Sequence, residues 1–151
     1  MKKYKKIDVN TKDLLRVFIR NYISEVLKAE SKLEKAKTEL TLRRDFSVAS
    51  AFTLFSSNLQ KKINKKDFIE KSQRLGISQQ EKEIELLYKR YDSNQDGQLG
   101  FQEFCNLFTP CNPLYRQELE QRTTIYTMSI ETLDTFKHLL ILLIDTEILA
   151  E

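Results

Sequence analysis

Residues 92–103 read Asp-Ser-Asn-Gln-Asp-Gly-Gln-Leu-Gly-Phe-Gln-Glu, and the spacing of their oxygen-bearing side chains leaves this stretch few ways to fold. Asp92, Asn94 and Asp96 stand at alternate positions, and Glu103 closes the segment from the start of a following apolar pattern. The sixth position requires a backbone turn that a Cβ resists, and it is Gly97. Such a loop wraps a hard cation: calcium takes six to eight oxygens at about 2.3–2.6 Å. The candidate ligands are the side chains of Asp92, Asn94 and Asp96, the backbone carbonyl of Gln98, and both carboxylate oxygens of Glu103. Gly100 offers no side chain at the ninth position, which leaves that place to water. One Ca²⁺ site is expected.

The flanks agree with the loop. Ile84, Leu87, Tyr88 and Tyr91 before it, and Phe101, Phe104, Cys105 and Phe108 after it, repeat at i, i+3, i+4 and i+7, which is one face of a helix in each case. An ordinary Asp/Asn/Gly-rich turn has no reason to keep both flanks in phase. A second, weaker copy lies 36 residues upstream: Phe55 and Phe68 match Tyr91 and Phe104, and Ile63 takes the place of Leu99. Its loop, Ser56 to Asp67, has Ser56, Asn58 and Gln60 where carboxylates would stand, Lys61 for the glycine and Lys62 after it. Two ammonium groups repel a dication, so this loop is expected to stay empty and act structurally. Val48, Ala51, Phe52 and Phe55 form the apolar face of its entering helix. Between the two copies, Gly76 should stop a helix, and Ser78 with Glu81 reads as a capping box for the next.

The segment from Asp45 to Phe108 therefore resembles an EF-hand pair of the calmodulin, troponin C and centrin superfamily, with one live and one degenerate loop. The resemblance implies calcium held by Asp92, Asn94, Asp96, Gln98 and Glu103, and an apolar groove open to a partner helix. Methionine, which makes calmodulin's groove adaptable, occurs only at Met1 and Met128, outside the segment.

The chain of 151 residues is 40% hydrophobic and 31% charged, enough for one good core. The expected fold is all-α. A basic tail covers residues 1–10, a long amphipathic helix 11–44, the EF-hand pair 45–108, a linker with a short helix 109–131, and an amphipathic C-terminal helix 132–151. The first helix should begin at Asn10 or Thr11 and reach about Leu40. Its Leu15, Phe18, Tyr22, Val26, Ala29, Leu33, Ala36 and Leu40 form a narrow seam like that of a coiled coil. Thirty residues would span roughly 45 Å, longer than one lobe can cover. Asn112 and Pro113 can start the short helix. On the last helix, Leu133, Phe136, Leu139, Leu140, Leu143, Ile144 and Ile148 surround more than one face, so both end helices are expected to need protein partners. Thr11 to Glu30 and Thr132 to Glu151 share five of twenty identities, and the layout resembles tandem EF-hand proteins of ciliates.

Other function classes find little support. His138 is the sole histidine, no glycine-rich phosphate loop exists among three glycines, and Cys105 and Cys111 lack CxxC spacing, which suits a reduced intracellular protein. Lys2, Lys3, Lys5 and Lys6 gather part of the net charge of +3, but basic residues elsewhere are interspersed with acids, and no nucleic-acid groove is expected. The run Leu139 to Ile144 is far too short for a membrane span. The expectation is a non-enzymatic, calcium-binding structural or adaptor subunit of a cytoplasmic assembly, cytoskeletal or ciliary by resemblance, with a calcium sensor as the alternative.

Overall fold

The computed structural model describes residues 9–150; the basic tail lies almost wholly outside them. Seven helices and one two-stranded ribbon follow in the order α1 (Val9–Thr41), α2 (Val48–Phe55), β1 (Ile63–Asn64), α3 (Lys65–Arg74), α4 (Glu81–Tyr91), β2 (Gln98–Leu99), α5 (Phe101–Phe108), α6 (Pro113–Glu120) and α7 (Ile130–Ala150). The fold is all-α apart from that ribbon, as the sequence indicates. β1 and β2 pair antiparallel with Ile63 opposite Leu99, which joins the two helix-loop-helix units at the register read from the internal copy. Tyr88 clamps the joint from α4: its hydroxyl donates to the Ile63 carbonyl at 2.8 Å, and burial pushes the phenol pKa up.

Local chemistry sets most helix ends. Ser47 Oγ accepts from the Ser50 amide at 3.1 Å to cap α2, and Asn64 Oδ1 accepts from Asp67 N–H at 2.8 Å to cap α3. α3 stops in a Schellman turn: Gly76, at φ +83°, donates to Gln73 O, and Ile77 donates to Ser72 O. Asn112 Oδ1 accepts from Leu114 N–H, with Pro113 in the first turn of α6. The expected Ser78–Glu81 capping box does not form. Gln80 holds the N-cap of α4 without a side-chain bond, so Ser78 sits two residues too early to reach the helix amides.

The core is built on aromatic rings. Phe52 meets Phe101 and Phe104 edge-on at 5.4 and 5.2 Å, and Phe55 stacks on Phe68 at 4.9 Å. α7 completes this core from within the chain. Phe136 packs against Phe46, Phe55 and Phe108 with centroids 6.1, 6.4 and 5.3 Å away, and Leu139, Leu140, Leu143 and Ile144 are buried with it. The expectation that the α7 stripe needs an outside partner is thereby corrected. α7 lies between the lobe and α1, so its several apolar faces have two walls to meet rather than one.

α1 runs antiparallel to α7. Arg43 lies 3.6 Å from Glu131 at one end, and the Tyr22 hydroxyl donates to the Leu149 carbonyl at 3.2 Å at the other. Between them Arg90 of α4 joins Glu147 of α7 at 2.9 Å and Glu30 of α1 at 3.8 Å. The seam of α1 is therefore divided. Leu33, Ala36 and Leu40 are buried, whereas every residue from 10 to 23 is exposed, Leu15 and Phe18 among them.

Candidate calcium loop and the closed lobe

The loop from Asp92 to Glu103 is shaped by its own side chains. Asp92 accepts from the amides of Asp96 and Gly97, at 3.3 and 2.8 Å. Asn94 Oδ1 accepts from Asp96 N–H at 3.2 Å, and Asp96 Oδ1 accepts from Gln98 N–H at 2.9 Å. These bonds curl the backbone through two left-handed residues, Gln95 at φ 57° and Gly97 at φ +78°. Glycine carries the second at no steric cost, as the sequence reading requires.

Glu103 enters the loop from the first turn of α5. Its Oε2 is buried and has no hydrogen-bond partner among the described residues, although the residue as a whole is only partly buried. Partial burial, then the charges of Asp92 and Asp96, push its pKa up. A carboxylate oxygen without a donor, facing two further carboxylates, is a donor set suited to a divalent cation. The carboxylates are not drawn to a common point. Among the described residues no group of three or more His, Cys, Asp or Glu side chains has metal-binding dimensions. Asp92 is turned to backbone amides, and Asp96 shares its other oxygen, Oδ2, with the ammonium of Lys62. That pairing holds Asp96 below the usual carboxylate range and raises Lys62.

Lys62 was not foreseen in this role. The sequence marks it as a charge that spoils the upstream loop, but its ammonium crosses to the downstream one, which only the β1–β2 pairing could reveal. In the upstream loop Ser56 Oγ donates to Asn58 O, and Asn58 Oδ1 accepts from Gln60 N–H. Its polar groups are satisfied locally, as suits a loop that holds its shape without an ion.

Residues 45–109 match the family model of an EF-hand domain pair. The chain carries one EF-hand domain pair over that segment. An EF-hand pair implies calcium binding, and calcium, when bound, would neutralise clustered carboxylates and order the loop around them. The residues of the downstream loop fit that ion; the upstream set, with Lys61 and Lys62, does not. No curated protein and no solved structure matches the chain significantly.

The apolar face of this EF-hand pair is already filled. Phe136 of α7 inserts between rings from α2 of the first hand and α5 of the second, and α7 also packs on α4. The segment joining α6 to α7 is fastened to the start of α2: Ser47 Oγ donates to Thr124 O at 2.7 Å, and Ser50 Oγ accepts from Tyr126 N–H at 2.7 Å. Asp45 then receives the Ser129 amide at 2.7 Å and the Thr132 hydroxyl at 2.6 Å. These bonds, led by the Ser129 amide, bring the Asp45 pKa down to about 2. No described helix is long and apolar enough to cross a membrane.

Proposed function

We propose that this chain is a calcium-binding, non-enzymatic structural or adaptor subunit. One calcium ion is held by Asp92, Asn94, Asp96, the Gln98 carbonyl and Glu103, and the exposed half of α1 engages a protein partner in a larger intracellular assembly. The observation that carries this reading is the seating of Phe136 and its neighbours on α7. A lobe whose apolar face is filled by its own chain has no groove free for a target helix, and calcium then acts as a fastener of a closed body. The partner surface moves to α1, where Leu14, Leu15, Phe18, Ile19 and Ile23 are solvent-exposed on one element. So much apolar surface on one helix marks an interaction site. The non-enzymatic reading rests on an absence of paired catalytic groups in the sequence and on the exposed position of His138. A cytoskeletal or ciliary setting rests on the resemblance of the layout alone.

Hydrogen exchange on the full chain, with and without calcium, tests the reading. The amides of α7 should be protected in both conditions. Release of α7 on calcium loading would overturn it in favour of a sensor that trades its own helix for a target.

A further inference from the structure

A cleft of about 680 Å³ lies beside the two EF-hand loops, bounded by Lys37 of α1, the first turn of α2, the outer side of α5 and the facing side of α6. Its walls are apolar where Val48, Tyr91, Phe101 and Leu119 line it. Its charged groups are Lys37, Arg90, Arg116 and Arg122 against Glu120 alone. The cations are not equivalent. Arg90 is engaged by Glu147 and Glu30, and Arg122 by Glu118 and two backbone carbonyls. Among the described residues the Arg116 guanidinium has only the Pro110 carbonyl, at 3.3 Å.

Lys37 is the unusual one. It is only 8% exposed, yet among the described residues its ammonium has no hydrogen-bond acceptor and no carboxylate within 4 Å. Its nearest acids are committed elsewhere: Glu34 accepts from the amides of Cys111 and Asn112, and Glu30 lies against Arg90. Burial lowers the Lys37 pKa and outweighs the opposing pull of Glu34 and Glu30, which act on the ammonium without pairing with it. The ammonium keeps contact with solvent only through the cleft, and a ligand there that brings the opposite charge would offset its desolvation.

We infer that this cleft binds a small amphipathic anion, a carboxylate whose head pairs with Lys37 and Arg116 and whose apolar body lies along Val48, Phe101 and Leu119. The volume suits a small molecule, since such sites run from about 300 to 1,000 Å³ and combine apolar walls with few polar anchors. An inorganic anion would satisfy Lys37 but leave the apolar walls wet. A neutral apolar molecule would cover the walls and bury the ammonium further without a partner. Only a ligand with both parts answers both features.

Titration calorimetry with dodecanoate below its micellar concentration tests the assignment, with dodecanol and inorganic phosphate as controls. Dodecanoate should bind one to one, and both controls at least tenfold more weakly. Lys37→Met should weaken dodecanoate at least tenfold without lowering the melting temperature, because the variant no longer buries a charge. Arg116→Gln, at an exposed position that the fold does not need, should weaken it severalfold. Equal binding of dodecanol, or full affinity in both variants, would remove the anionic anchor and overturn the inference. Phosphate binding as tight as dodecanoate would overturn the apolar half of it. No saturable binding, or dimerisation through the cleft seen by sedimentation, would overturn it altogether.

Discussion

The ammonium of Lys62, from the loop proposed to stay empty, pairs with the carboxylate of Asp96 in the loop proposed to hold calcium. The ribbon that places Ile63 opposite Leu99 brings this cation within reach of a ligand side chain. On the proposed ligand set, calcium and Lys62 compete for one carboxylate. An ammonium beside a dication site repels the ion, and at an exposed site water and salt screen that repulsion. Lys62→Gln should tighten calcium binding measurably at low ionic strength, with the gain shrinking as salt screens it. Calorimetry across a salt series would decide; an unchanged Kd would mean that the ammonium swings clear at no cost.

Calcium stoichiometry follows from the contrast between the loops. Titration should count one site. Glu103→Gln should remove most of the binding, since the neutral amide supplies one oxygen where the carboxylate supplies two. Asp67→Asn should change little, because Asp67 sits in a loop with no other carboxylate and four lysines. Two sites of similar affinity would contradict the assignment.

Asp45 ties the start of the EF-hand pair to the start of α7 through Ser129 and Thr132. Its carboxyl is held at about 2, below the ordinary 3.8, so it stabilises the fold above the unfolded-state value and loses that contribution as pH falls through the folded one. Thermal melts between pH 4 and pH 2 should show a steeper loss of stability in the parent chain than in Asp45→Asn. Identical slopes would mean that the tie is not maintained in solution.

Local features were legible in the sequence, and the destination of the long helices was not. The ligand spacing from Asp92 to Glu103 and the turn at Gly97 are properties of a dozen adjacent residues. The pairing of Ile63 with Leu99 follows from the internal copy, because equivalent residues of paired loops must meet. The α7 stripe from Phe136 to Ile144 reveals how much apolar surface must be covered but not what covers it. Its excess over one face was read as a demand for another chain, when α1 supplies the second wall within the same chain. The role of Lys62 was hidden for a related reason: a charge that spoils its own loop acts on a site 34 residues away only once the strands are paired.

The end helices differ in what they bury, and substitutions should separate them. Phe136 is fully buried among three other rings, and truncation of such a residue costs about 3–5 kcal/mol. Phe18 on α1 is 68% exposed, and surface changes stay within about 0.5 kcal/mol. Phe136→Ala should therefore lower the melting temperature sharply, while Phe18→Ala leaves it almost unchanged.

The same contrast revises where association should originate. Deleting residues 132–151 would strip α7 from the core and leave the rings of Phe46, Phe55 and Phe108 uncovered, which should promote aggregation rather than relieve it. Replacing Leu15, Phe18 and Ile19 together by glutamate removes apolar surface that lies outside the core, since all three are exposed. That triple variant should keep its melting temperature and lose whatever self-association or partner binding the parent shows in sedimentation velocity. Association that survives it, with folding intact, would place the partner surface elsewhere than on α1.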